Sequence, residues 1–166
     1  MLMSLIQMLL IIIIIPVTIL NIRFLTKGRI VKQKTMQKYS LALSKLSENK
    51  KQLGGDGAFL ATRYMSDSGN NYLLCKSNKI DAGALVTEKE FILIKPLSEA
   101  LCNVQIKENK KKVESVTCNI FIPNSTINID INLAENPHNH NWIMKNIISD
   151  AYNIKREIEE YKVERK

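Results

Sequence analysis

The first 22 residues, MLMSLIQMLLIIIIIPVTILNI, carry no charged side chain, and thirteen of them are Leu or Ile. A run this uniform has no polar stripe to turn toward water, so an ordinary surface helix is excluded. At about 1.5 Å per residue, a helix of this length reaches roughly 33 Å, enough to cross a hydrocarbon core of about 30 Å. The run predicts a transmembrane helix over 1–25, kinked where Pro16 removes a helical hydrogen bond. The competing reading is a cleaved leader. No Lys or Arg precedes the run, however, and Thr18–Arg23 (TILNIR) offers no small-residue cleavage site, so an uncleaved anchor is expected.

Charge divides the 166-residue chain unevenly. Of its net +8, all lies before Gly54: nine Lys and Arg stand against the single acid Glu48, while the remainder holds fifteen of each sign. An electrically balanced remainder gives no basic face with which to displace counterions from nucleic acid, and no nucleic-acid partner is expected. Arg23, Lys27, Arg29, Lys32, Lys34 and Lys38 crowd the C-terminal flank of the apolar run. Positive flanks stay cytoplasmic, so the expected placement is a single-pass cell-membrane protein, N-terminus outside and C-terminal domain cytoplasmic. Cys75, Cys102 and Cys118 form an odd set with no disulfide framework, which agrees with that compartment.

Residues 26–57 read as a basic juxtamembrane helix and linker. Met36, Tyr39, Leu43 and Leu46 recur at intervals of three and four, Lys50 and Lys51 complement the helix dipole, and Gly54-Gly55 supplies a stop. The cluster serves as a topology determinant on a solvated helix, with anionic headgroups as its alternative contact. Leu53–Gly57 (LGGDG) reads as a hinge.

From residue 58 to 166 the spacing changes to short β-like runs: Ala58–Met65, Asn71–Ser77, Ala84–Thr87, Glu90–Lys95, Leu101–Lys107, Val113–Ile122 and Thr126–Leu133. Asp67-Ser68-Gly69-Asn70, Asp81-Ala82-Gly83, Pro96 and Pro123-Asn124-Ser125 divide them. In the last run Ile127, Ile129, Ile131 and Leu133 alternate with Asn128, Asp130 and Asn132, placing the apolar side chains on one face. The preceding runs repeat the device with Val116, Cys118, Ile120 and Ile122, and with Cys102, Val104 and Ile106. Ile143, Ile147, Ala151, Ile154, Ile158 and Tyr161 then form one helical stripe, widened by Trp142 and Ile148.

Four strands, a three-strand meander and a C-terminal amphipathic helix, with Leu85–Lys95 (LVTEKEFILIK) as the middle hairpin, resemble the pleckstrin-homology-like (PH-like) superfold over residues 58–160. The resemblance implies a seven-strand antiparallel sheet or barrel closed by the helix. The overall expectation is an α+β protein with an N-terminal transmembrane helix, a basic juxtamembrane helix and this domain. It also implies a domain that binds phosphoinositides, peptides or proteins and lacks catalysis. Unlike many lipid-binding members, the first hairpin, Ser66–Asn70, holds Asp67 and no Lys or Arg.

The basic tip KENKKK offers Lys107, Lys110, Lys111 and Lys112 as ligand or headgroup contacts, with a solubilising turn as the plain alternative. His138 and His140 in PHNHN are the His-x-His pair from which a metal site would start, but no converging acids are spaced around them, and surface or capping roles fit a loop that begins a helix. Gly54–Gly57 lacks the Lys-Ser or Lys-Thr of a phosphate loop. No cofactor or catalytic constellation is expected. The function expected is a single-pass membrane protein presenting a small non-catalytic domain for protein, peptide or lipid contacts, as an adaptor or structural component of a membrane assembly. The alternative is a membrane-tethered metal-dependent hydrolase or nuclease using His138 and His140.

Overall fold

The computed structural model describes residues 29–110, 112–123, 125–135 and 141–165. The chain divides into two compact units, Met1–Met36 and Gln37–Lys166. Helix α1 covers 29–49. In the first unit its described stretch exposes Ile30, Val31 and Met36, and Thr35 Oγ1 donates to Val31 O at 3.0 Å. The second unit is built from the rest of α1, strands β1 (Phe59–Met65), β2 (Asn71–Ser77), β3 (Gly83–Val86), β4 (Phe91–Ile94), β5 (Leu101–Asn109), β6 (Lys112–Phe121) and β7 (Asn128–Ala134), and helix α2 (Asn141–Glu164).

The strands form two antiparallel sheets, ordered β1-β2-β3-β4 and β5-β6-β7. This corrects the expectation of one seven-strand sheet or barrel: neither sheet closes. The break falls after β4. Pro96 has no N–H to donate to a ladder, and the chain turns through Leu97–Glu99, with Leu97 fully buried and the Asp81 carboxylate accepting from Ser98 N at 2.9 Å. At the other end the sheets meet through a corner. Asp67 N donates to Leu133 O at 2.9 Å, its carboxylate accepts from Glu135 N at 3.2 Å, and Tyr72 Oη donates to Asn132 O at 3.2 Å.

Strands β2 and β3 are buried on both faces. Leu74 and Leu85 face a large cluster shared with β6, β7 and α2, whereas Leu73, Cys75, Ala84 and Val86 face a second cluster with Ala42, Leu46 and Leu53. Continuous apolar runs are what such a two-sided sheet requires. Gly83 sits where a Cβ would come within 2.8 Å of both Cys75 O and Leu97 Cδ2, so only glycine fits between them.

Helix α1 therefore covers sheet rather than standing as a solvated connector. Its inner side is Tyr39, Ala42 and Leu46; Met36 and Leu43, expected on that side, are exposed. The segment expected as a hinge is tied down. Gly54, at φ +98°, caps a short 3-10 turn by donating to Lys51 O at 3.2 Å, and Leu53 is fully buried. Ser77 Oγ lies 2.8 Å from Leu53 O and 3.1 Å from Ala58 O, one of which takes its proton, and accepts from the Lys79 and Ile80 amides, each at 3.2 Å.

The membrane expectation is also corrected. Among the described residues no helix is long and apolar enough to cross a membrane. Helix α1 carries Arg29, Lys32, Lys34, Lys38 and Lys45, and α2 is charged on its outer side. The run 1–25 on which the single-pass placement rested lies outside the described residues, and that placement is withdrawn.

Which side of α1 is load-carrying has a direct test. Leu46→Ala removes a side chain that is 5% exposed and is expected to cost about 2–5 kcal/mol in urea unfolding. Leu43→Ala, at a position 41% exposed, is expected to stay within about 0.5 kcal/mol of the parent.

Candidate functional site

Helix α2 lies over both sheets and touches them with different flanks. On one flank Tyr64 Oη donates to Glu157 Oε1 at 2.7 Å, and the other carboxylate oxygen receives Thr62 Oγ1 and Lys76 Nζ, both at 3.2 Å. Tyr161 Oη donates to Ile80 O at 2.9 Å. Burial, with Glu157 second, pushes the Tyr64 phenol well above its ordinary range, so it remains a donor throughout the physiological range. This flank fastens the helix to β1 and β2.

The opposite flank is looser. Ile148, Tyr152, Lys155 and Glu159 recur at spacings of four, three and four, so they line one side of the helix. Lys155 and Glu159 act electrostatically on Cys102 of β5, which sets this row beside that strand. Beneath it run the inward side chains of β5. Those of β6 and β7, including Val116, Cys118, Ile120, Ile131 and Leu133, are buried, but Cys102, Val104 and Ile106 are only half-buried. Strand β5 is one of the two outer members of its sheet, and among the described residues no strand pairs with its other edge. The result is a ledge: an apolar floor on β5, a wall formed by α2, and an edge that no described strand pairs.

The outer face of the same sheet is polar and self-satisfied. Asn119 Nδ2 donates to Asn128 Oδ1 at 2.7 Å and Asp130 Oδ1 at 2.6 Å, and Thr117 Oγ1 donates to Asn132 Oδ1 at 3.0 Å. A polar recess of about 180 Å³ beside the β3–β4 turn is lined by Asn70, Tyr72, Thr87, Glu88, Glu90 and Asp130 among others.

The basic residues singled out in the sequence are scattered. Arg23 and Lys27 lie outside the described residues; Arg29, Lys32 and Lys34 are exposed on α1. Lys38 turns inward, donating to Asn70 Oδ1 at 2.5 Å with Glu88 Oε1 3.9 Å away, while Arg63 stacks 4.1 Å from the centre of the neighbouring Tyr39 ring. The basic tip is shorter than expected. β5 and β6 absorb Lys107 and Lys112, leaving a two-residue turn in which Lys110 has φ +47° and Lys111 is outside the described residues. Lys107 pairs with Glu114 at 3.3 Å. The Asn109 amide and then Lys107 hold the Glu114 carboxyl below its usual range. His138 and His140 also lie outside the described residues, and among those described no group of His, Cys, Asp and Glu could hold a metal.

The ledge was missed in the sequence because its wall lies off the main apolar stripe of α2, where Tyr152 looks like an isolated surface aromatic. Trp142, expected to widen the stripe, is exposed, and Met144 is buried in its stead. Comparison of the chain with protein-family models, with curated proteins and with solved structures gave no match.

Burial raises the pKa of Asp150, on the first-sheet side of α2. Folding thus strengthens its hold on a proton. The ionised carboxylate subtracts stability above the folded pKa; the deficit shrinks as pH falls through that value and is gone below the unfolded value of about 3.9. Asp150→Asn is expected to raise the urea midpoint near neutral pH and to bring no gain near pH 3.

Proposed function

We propose that the domain is a non-catalytic peptide-docking module, in which an extended segment of a partner protein adds as a strand to the free edge of β5 beneath the wall of α2. The observation that carries this reading is the contrast within one sheet: the inward side chains of β6 and β7 are buried, while those of β5 are only half-buried beside α2. An added strand would complete both kinds of contact. Its backbone would take up the unpaired edge groups, and alternate apolar side chains would extend the floor formed by Cys102, Val104 and Ile106. The amphipathic Tyr152 ring and the Lys155–Glu159 pair, 3.7 Å apart, would give the bound segment an apolar contact and a charged rim. The element order that resembles PH-like domains supports a binding role over a catalytic one.

The test uses linear peptides selected from a random display library on the full chain. The expected outcome is selection of peptides with alternating apolar residues that slow hydrogen exchange of the β5 amides. Val104→Asp should weaken binding by roughly tenfold or more, the scale of losing one buried apolar contact and burying a charge. Asn103→Ala, on the outer face of the same strand, should leave affinity unchanged. Protection confined to other elements, or equal binding by Val104→Asp, would overturn the proposal.

A further inference from the structure

Hydrogen bonds fix which end of α2 lies at which end of β5. Tyr161 Oη donates to Ile80 O at 2.9 Å, and the carboxylate of the next residue, Asp81, accepts from Ser98 N at 2.9 Å, three residues before β5 begins at Leu101. Farther back along the helix, Cys118 Sγ lies 3.6 Å from Ala151 O, and Cys118 is the ladder partner of Val104. The C-terminal part of α2 is thereby tied near the start of β5, and the helix runs back toward the β5–β6 turn. From Ala151 to Lys145 is six residues, about 9 Å of helix, and from Val104 to Lys107 is three residues, about 10 Å of strand. Lys145 stands three positions before Ile148, so it extends the wall row and comes level with Lys107 and the turn beyond.

The two ends of the ledge therefore differ in charge. Nearer the start of β5, Lys155 is already paired with Glu159 at 3.7 Å. At the turn, Lys107 is taken by Glu114 at 3.3 Å, but Lys110, Lys112 and Lys145 are exposed, and no carboxylate among the described residues pairs with them. Glu108 is the exposed acid set against these three. The floor is apolar over Cys102, Val104 and Ile106, and its turn end is basic.

We infer that the docked segment is an acidic peptide, with apolar side chains at alternate positions over Cys102, Val104 and Ile106 and carboxylates at the end that meets Lys110, Lys112 and Lys145. This rests on the docking reading above and adds the partner's chemistry to it. Joined antiparallel, as both pairs in this sheet are, the segment carries its acids N-terminal to the apolar run. Complementary charge at one end also fixes the register of a strand whose backbone bonds alone would let it slip. The chain's own apolar leader does not fit this description, because no acid precedes Glu48.

The experiment measures three synthetic peptides on the full chain by fluorescence anisotropy, with hydrogen exchange of the β5 amides reporting where they sit. All share the run Val-Thr-Val-Thr-Val, preceded by three glutamates, three glutamines or three lysines. The glutamate peptide is expected to bind roughly fivefold or more tighter than the glutamine peptide at low salt, the scale of a few exposed charge pairs. The lysine peptide should be the weakest, and the differences should narrow as salt rises. Lys145→Glu, or Lys110→Glu combined with Lys112→Glu, should abolish the glutamate advantage and leave the glutamine peptide unchanged; these exposed positions are not expected to disturb the fold. Lys89→Glu, exposed on the β3–β4 turn, makes the same change in net charge and should preserve the advantage. No β5 protection by any peptide would overturn the docking reading itself. Protection by all three at equal affinity, or an equal loss in Lys89→Glu, would overturn the acidic partner alone. A parent that self-associates without peptide, and ceases to in Lys145→Glu, would give the edge to a second copy. Phosphatidylserine vesicles that bind the parent and displace the glutamate peptide would give the lysines to a membrane surface, and either of these results would overturn the inference.

Discussion

Strands β2 and β3 have no polar face, and the rest of the second unit is arranged around that fact. Leu73-Leu74-Cys75 and Ala84-Leu85-Val86 are buried without interruption, so a cover on one side alone would leave a row of apolar side chains in water. One face is closed by α2 and the three-strand sheet, the other by α1 together with the turn that ends at Leu53. Ser77 makes the second closure specific. Its hydroxyl contacts carbonyls before and at the start of β1 and amides after β2, holding the exit of α1 against the sheet through groups that would otherwise be buried unpaired. The described residues include no buried side-chain nitrogen or oxygen without a partner, so this double closure leaves none of their polar side-chain atoms unsatisfied.

Much of this was legible in the residues, because period-2 alternation survives wherever a strand has one wet face. Ile129, Ile131 and Leu133 in β7, and Val116, Cys118 and Ile120 in β6, point inward as their spacing indicates, and Ile147, Ala151, Ile154 and Ile158 form the buried stripe of α2. Legibility ended where burial has two sides. A continuous apolar run of three residues shows no period, so nothing local announced that β2 and β3 need a second cover, and the basic helix that supplies it looked like a solvated connector. Its register was misread for a related reason. Tyr39, Ala42 and Leu46 contribute one small, one aromatic and one long side chain, whereas Met36 and Leu43 are larger than Ala42 and dominate any hydropathy reading, yet they face outward. The close approach of α1 to the sheet calls for the small side chain.

The candidate site was less legible than the fold because it arises from incomplete burial. No single residue of β5 marks it: Cys102, Val104 and Ile106 have the alternation of a core strand, yet they are half-buried where the inward residues of β7, at the other margin of the sheet, are buried.

An open edge strand invites indiscriminate pairing, and β5 carries devices against it. The ladder irregularity at Lys107/Glu108 bends its far end, where exposed Lys107, Glu108 and Asn109 make a charged and polar margin. Lys155 and Glu159 on α2 place one charge of each sign above the strand. A flat hydrophobic strand from another copy would have to desolvate those charges without satisfying them, at a cost that grows with each unpaired group. The usable edge is thereby reduced to the stretch around Cys102–Ile106, about the length at which three alternating side chains meet the floor. That restriction favours a short segment of matched polarity over a whole sheet.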